Sequence, residues 1–192
     1  MSSSVLQNRT LADAIIPGSG VVRDVALVLG GAVLTTVCAQ VSIPWQPVPF
    51  TLQTMAVMLC GLGLGKTRGV LSQLVYVSAG LAGIPVFAQG KVGMPIIAGP
   101  TGGYLLSFAV VAWLLGTLAE RGWTQSFHKT AAAMAIGITV NLGMGAAWLS
   151  AFIGWKTAIL TGVTPFLIAE GVKALVVIGV LPSAWNFVKG KS

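Results

Sequence analysis

Glu170 and Lys173 stand three residues apart inside PFLIAEGVKALVVIGVLP (residues 165–182), a stretch otherwise apolar almost throughout. An ionised residue at mid-membrane costs about 2.5–3.5 kcal/mol on insertion scales, so two cost on the order of 5–7 kcal/mol before pairing. At positions i and i+3 of a helix both side chains project from one face, free to meet each other and a third group. With a rise of about 1.5 Å per residue, Glu170 lies ~8 Å and Lys173 ~12 Å below Pro165, a depth that suits the floor of a pocket opening at that end. The other reading is an internal salt bridge that ties helices together. Gln53 and Asn141 also place polar groups in apolar segments, where each alone fits a helix–helix hydrogen bond. No nucleophile–base pair, metal-ligand cluster or second intramembrane carboxylate accompanies them. Binding therefore remains as the chemistry, without an enzyme's catalytic set, and no cofactor or metal is expected.

The elements that must position these residues are membrane helices. The 192 residues are 55% hydrophobic and only 8% charged, whereas a soluble domain carries about 25% charged residues. Six apolar segments run over residues 25–41, 51–64, 69–81, 102–118, 130–152 and 165–188. The second and third fall short of the ~17 residues usual for a span, so tilted, kinked or re-entrant segments are open there. The expected fold is all-α: one bundle of six transmembrane helices over residues 25–188, flanked by an interfacial segment, 1–24, and a short tail, 189–192. The cations support this layout. Arg9, Arg23, Lys66, Arg68, Arg121, Lys129, Lys189 and Lys191 fall on one side, Lys91 and Lys156 on the other, and Lys173 within the last span. That asymmetry places both termini in the cytoplasm. The net charge of +7 then reflects orientation, not nucleic acid, for which a basic stripe on a soluble surface is needed. The first residues do not resemble a cleaved signal peptide.

Three outer connections have unusual composition: SIPWQPVPFT (42–51), extended by its prolines, GIPVFAQGKVGMPIIAGPTGGY (83–104) and GWKTAILTGVT (154–164). The second is long and apolar enough to fold over the bundle as a lid or pocket wall; ordinary packing at the membrane interface fits as well. Within GPTGGY, Gly102 and Gly103 let the backbone come close to something, either a ligand at the helix start or nothing beyond a neighbouring helix. Residues 9–16 suit a short amphipathic surface helix. CGLGLGKT (60–67) lacks the first Walker glycine, since Cys60 stands there, and is read as a tight turn. His128 reads as a solvated loop residue. Asn8-Arg9-Thr10 matches a glycosylation sequon without meaning on a cytoplasmic segment. Cys38 and Cys60 read as buried thiols.

VPFTLQTMAVMLCGLGLG (48–65), LAGIPVFAQGKVGMPIIAGPTGGYLL (81–106) and PFLIAEGVKA (165–174) together resemble the BioY family, the biotin-capturing membrane subunits of energy-coupling factor transporters. The resemblance covers nearly the whole chain. It implies a multi-pass protein of the bacterial cytoplasmic membrane that takes biotin from outside, with Glu170 and Lys173 at the ring-contacting positions of the last helix. It also implies Lys91 and Gln89 near the ligand, Lys91 towards the valerate carboxylate, and Tyr104 packed on the head group. Gln53, Asn141, Gly102 and Gly103 complete the expected site. Partners implied are the lipid bilayer, a transmembrane coupling subunit and ATPase subunits. Docking on the coupling subunit would use small residues of the first helix, here Ala26 and Gly30, Gly31 and Thr35, and Ala32 and Thr36. Where the family usually has proline–glycine–aspartate, this chain has Ile168, Ala169 and Glu170, so the acid is one methylene longer.

Overall fold

The computed structural model describes residues 10–190; the sequon residues Asn8 and Arg9, and Lys191, lie outside them. Nine α-helices are present among the described residues. They are α1 (Leu11–Ile15), α2 (Val21–Gln40), α3 (Gln53–Leu64), α4 (Lys66–Leu81), α5 (Met94–Ala98), α6 (Gly102–Glu120), α7 (Phe127–Ile153), α8 (Trp155–Gly162) and α9 (Phe166–Lys189). The six long ones match the six apolar segments to within a few residues. By length and composition α2, α6, α7 and α9 suffice to cross a membrane. Helices α3 and α4 are unbroken but short: their 12 and 16 residues rise about 18 and 24 Å.

Helix α6 is the axis of the bundle and packs on α3, α4 and α7. Small residues bring it close: a Cβ on Gly116 would lie 2.3 Å from the Lys66 backbone nitrogen, and one on Gly61 of α3 2.9 Å from the Ala112 carbonyl oxygen. Large apolar residues such as Val22, Val33, Ile168 and Leu175 point outward, which suits lipid and not water. Helix α4 is inside out: Ser72, Gln73 and Tyr76 are buried while Leu71 and Leu74 are exposed. Gln73 bonds to Thr35 of α2, its Nε2 donating at 3.2 Å. Among the described residues no buried side-chain nitrogen or oxygen lacks a partner, as an apolar surround requires.

The small-residue pairs of α2 divide. Gly31, Ala32 and Thr35 face the bundle, Gly31 against Ser72 and Cys60, so these are internal packing positions. Ala26 and Gly30 remain exposed. Cys38 and Cys60 are both buried, and His128 is exposed on the first turn of α7.

All three connections of unusual composition acquire structure. The proline-rich segment forms a two-stranded antiparallel ribbon, β1 (Ser42–Ile43) with β2 (Phe50–Thr51). Residues 83–104 contain a 3₁₀ turn (Ala88–Gly90) and α5, and 154–164 becomes α8. At the opposite end α1 is an anchored element and not only a surface helix. Thr10 caps it in a reciprocal box with Asp13, and Asp13 Oδ1 accepts from Arg23 of α2 at 2.9 Å and Arg68 of α4 at 2.7 Å. Burial pushes the Asp13 carboxyl up, but hydrogen bonds from Thr10, Arg23 and Arg68, with the Arg68 charge, outweigh that and hold it well below the usual carboxylate range.

Gly102→Ala drives a Cβ to 1.8 Å from the Ile97 carbonyl oxygen, a backbone atom that cannot swing away. We expect it to lower thermal stability by about 1–3 kcal/mol. Gly143→Ala, which meets nothing within 4 Å in the middle of α7, should leave stability unchanged or raise it by about 0.5–1 kcal/mol. Equal melting behaviour of the two variants contradicts the packing. A carboxyl depressed on folding stabilises above its unfolded pKa of about 3.9 and loses that contribution as the pH falls towards the lower folded value. The thermal midpoint should therefore drop between about pH 5 and pH 3, and drop less in Asp13→Asn.

Candidate functional site

At the end of the bundle remote from α1, a cavity of about 840 Å³, its open mouth included, lies among α3, α6, α7 and α9 beneath the connections 42–51 and 83–104. On α9, residues Phe166, Glu170 and Lys173 share one face by their spacing of four and three, and all three are buried. Glu170 is 2% exposed and Lys173 8%, yet both line the cavity. Lys173 Nζ stands 2.6 Å from Glu170 Oε1. Facing them from the first turn of α3 is Thr54, whose hydroxyl shares its proton with the two Glu170 oxygens at 2.8 and 3.0 Å and accepts from Lys173 Nζ at 2.8 Å.

This cluster keeps capacity in reserve. A carboxylate offers about four lone-pair sites and an ammonium three protons. Lys173 on one oxygen and Thr54 on both engage three of the former, Glu170 and Thr54 two of the latter. One acceptor site and one donor are left for whatever enters. Thr54 escaped the sequence reading, which took only Gln53 from TLQT; a lone hydroxyl at a helix start carries too weak a signal.

The other expected residues divide into three groups. Gln53, Asn141 and Tyr104 line the cavity walls but are already engaged. The Gln53 amide donates to the Tyr76 hydroxyl in a short hydrogen bond and accepts from Thr51 at 3.0 Å. Asn141 Nδ2 donates to Ser107 Oγ at 2.6 Å, while its carbonyl oxygen takes no bond among the described residues. The Tyr104 hydroxyl donates to the Gly162 carbonyl at 2.8 Å, in a slot that a Cβ on Gly145 or Gly162 would fill. Its ring is left to the cavity, beside Phe166 at 6.5 Å. Phe166 in turn stacks on Phe50 of β2 at 4.2 Å, an aromatic wall that the sequence reading missed.

Gln89 and Lys91 are exposed at the rim. The chain has four acids: Asp13, Asp24 and Glu120 pair at the far end, and Glu170 pairs with Lys173. Lys91 has no ion-pair partner among the described residues and is a free cation at the mouth. Gly102 and Gly103 do not line the cavity. They pack the start of α6 against Ile97 of α5 and Trp148 of α7, so the close approach they permit is to protein backbone and a neighbouring helix.

With this geometry in view, comparisons with known proteins are informative. The model of the BioY family matches residues 6–190. A protein of Pyrococcus horikoshii named a probable biotin transporter is 40% identical over 79% of this chain and 90% of its own. The Biotin transporter BioY of Thermotoga maritima is 39% identical over 74% of this chain and 84% of its own. A crystal structure described as the S-component for biotin from an ECF-type ABC transporter superposes with a TM-score of 0.76 at 24% identity. It covers 86% of this chain and 92% of that one, a likeness that establishes the fold as an all-helical membrane bundle. From the family match along residues 6–190 and relatives near 40% identity over about three quarters of its length, this chain belongs to the BioY family.

Proposed function

We propose that this chain binds biotin in the cavity and mediates its uptake as the substrate-binding component of an energy-coupling factor transporter. The observation that carries the reading is the Glu170–Thr54–Lys173 cluster facing an open cavity. A ureido ring presents two N–H donors and one carbonyl acceptor; the cluster keeps one acceptor site and one donor, and the Asn141 carbonyl at the cavity wall supplies the second acceptor. The rings of Tyr104 and Phe166 suit the bicycle, Leu142 and Val48 the aliphatic chain, and Lys91 with Gln89 the carboxylate at the mouth. Gly102 and Gly103 serve by setting the α6 start and not by touching ligand.

In this reading all six long helices cross the bacterial cytoplasmic membrane. Residues 25–188 form the binding domain, 1–24 an interfacial segment and 189–192 a tail, with both termini inside. The cation distribution supports that orientation: Arg23, Lys66, Arg68 and Lys189 gather at the α1 end, and Lys91 at the cavity end. Coupling and ATPase subunits supply the energy, the exposed Ala26 and Gly30 of α2 being the remaining small-residue pair for docking; nucleic acid has no part.

Equilibrium binding of labelled biotin to the detergent-purified chain tests the reading. Glu170→Gln keeps the shape but loses the charge next to Lys173, and should weaken biotin by ~30-fold or more, as removing one member of a buried charge pair costs about 2–5 kcal/mol. Recovery of folded protein with undiminished affinity, or a melting defect without an affinity change, makes the pair a structural bridge. In competition, unlabelled biotin should displace the tracer while riboflavin and thiamine do not. Displacement by either of those assigns the cavity to another vitamin.

A further inference from the structure

Gln40, the last residue of α2, does not line the cavity, yet its carboxamide reaches the turn that roofs it. Nε2 donates to the carbonyl oxygens of Val86 at 3.3 Å and Phe87 at 3.2 Å, and Oε1 accepts from the Gly90 amide at 3.2 Å. Nε2 also approaches the Thr36 carbonyl of its own helix at 3.5 Å. Held between Phe87 and Gly90 is Gln89 at φ 62°, ψ 27°, the one non-glycine residue with positive φ among those described. A side chain other than glycine visits that left-handed region rarely, and a residue persists there only where its surroundings over-determine it. The turn's own bonds run from Gly90 to the Phe87 carbonyl at 3.1 Å, from Lys91 to the Ala88 carbonyl at 3.4 Å and from Phe87 to the Lys91 carbonyl at 3.3 Å; none of them ties the turn to α2.

We propose that Gln40 is a positioning residue. It latches the 88–90 turn to the end of α2, holds Gln89 and Lys91 over the cavity mouth, and thereby sets how long a ligand stays. The effect on ligand rests on the biotin reading above, whereas the latch itself does not. Helix α2 is suited to carry it. Its other end is tied by Arg23 and Asp24 to Asp13 and Arg68, so a movement of this one helix is felt by the roof of the cavity. The bonds are also accessible, because Gln40 is exposed, and a latch that never opens would trap its ligand.

The test compares Gln40→Ala and Gln40→Met, the latter retaining bulk without polar atoms, in the full-length chain. A nitroxide on Val92→Cys, 41% exposed and next to the turn, reports its mobility; Cys38 and Cys60 are buried and leave residue 92 as the accessible thiol. In both variants we expect labelled biotin to dissociate roughly tenfold faster, the effect of losing about one net hydrogen bond's worth of restraint. The label should become more mobile with and without biotin, and the melting midpoint should fall by no more than about 4 °C, the cost of one hydrogen bond in a chain of this size. Unchanged dissociation or unchanged mobility overturns the proposal, as does a fall in the melting midpoint well beyond that. If the parent chain fails to bind biotin, the functional reading falls, and the label alone still decides whether Gln40 restrains the turn.

Discussion

A carboxylate and an ammonium placed side by side in an apolar bundle impose a condition on everything around them. Their desolvation is repaid only when the remaining lone pairs and protons find partners, and a well-packed apolar replacement is often as stable or more so. Glu170 and Lys173 meet the condition in part through Thr54, which acts as donor to one and acceptor from the other. That single hydroxyl fixes how α3 and α9 must approach, because it stands on one helix and both of its partners on the other. The arrangement is poor evidence of stabilisation for its own sake. It makes sense as a prepared polar surface whose spare capacity faces a cavity.

The surrounding scaffold keeps that surface from collapsing. Helix α6 packs tightly through glycines against three neighbours, so the wall carrying Tyr104 is fixed from behind. Tyr104 is further held by its bond to Gly162, and Asn141 by Ser107. Packed walls, an exposed polar rim and a floor of opposite charges give one site three different surfaces. The roof is held at the end of α2 by a side chain that touches backbone atoms only.

Much of this was legible in the residues. The six long helices follow from apolar segments whose length and hydrophobicity are set by the membrane, and their ends from glycines and prolines. Glu170 and Lys173 stood out because charge is expensive among apolar neighbours, and that same argument found Asn141 and Gln53. What escaped is what sequence does not price. Thr54 and Gln40 act through small hydrogen-bonding groups that are common at helix ends. Phe50 and Phe166 meet only after the proline-rich ribbon folds back. Gly102 and Gly103 announced a close approach without saying to what, and the partner proved to be α5 and α7. The small residues of α2 likewise have no intrinsic direction: the twist of the helix turned Gly31 and Thr35 inward and left Ala26 and Gly30 outside.

Helix α3 rises only about 18 Å, whereas the hydrocarbon layer of a typical bilayer is about 30 Å thick. Seven of its twelve residues are buried and none is exposed, so its surround is chiefly protein and it need not match the thickness of that layer. Its first turn, with Gln53 and Thr54, lines the cavity: a core helix shorter than its neighbours is what leaves room for a guest inside the bundle.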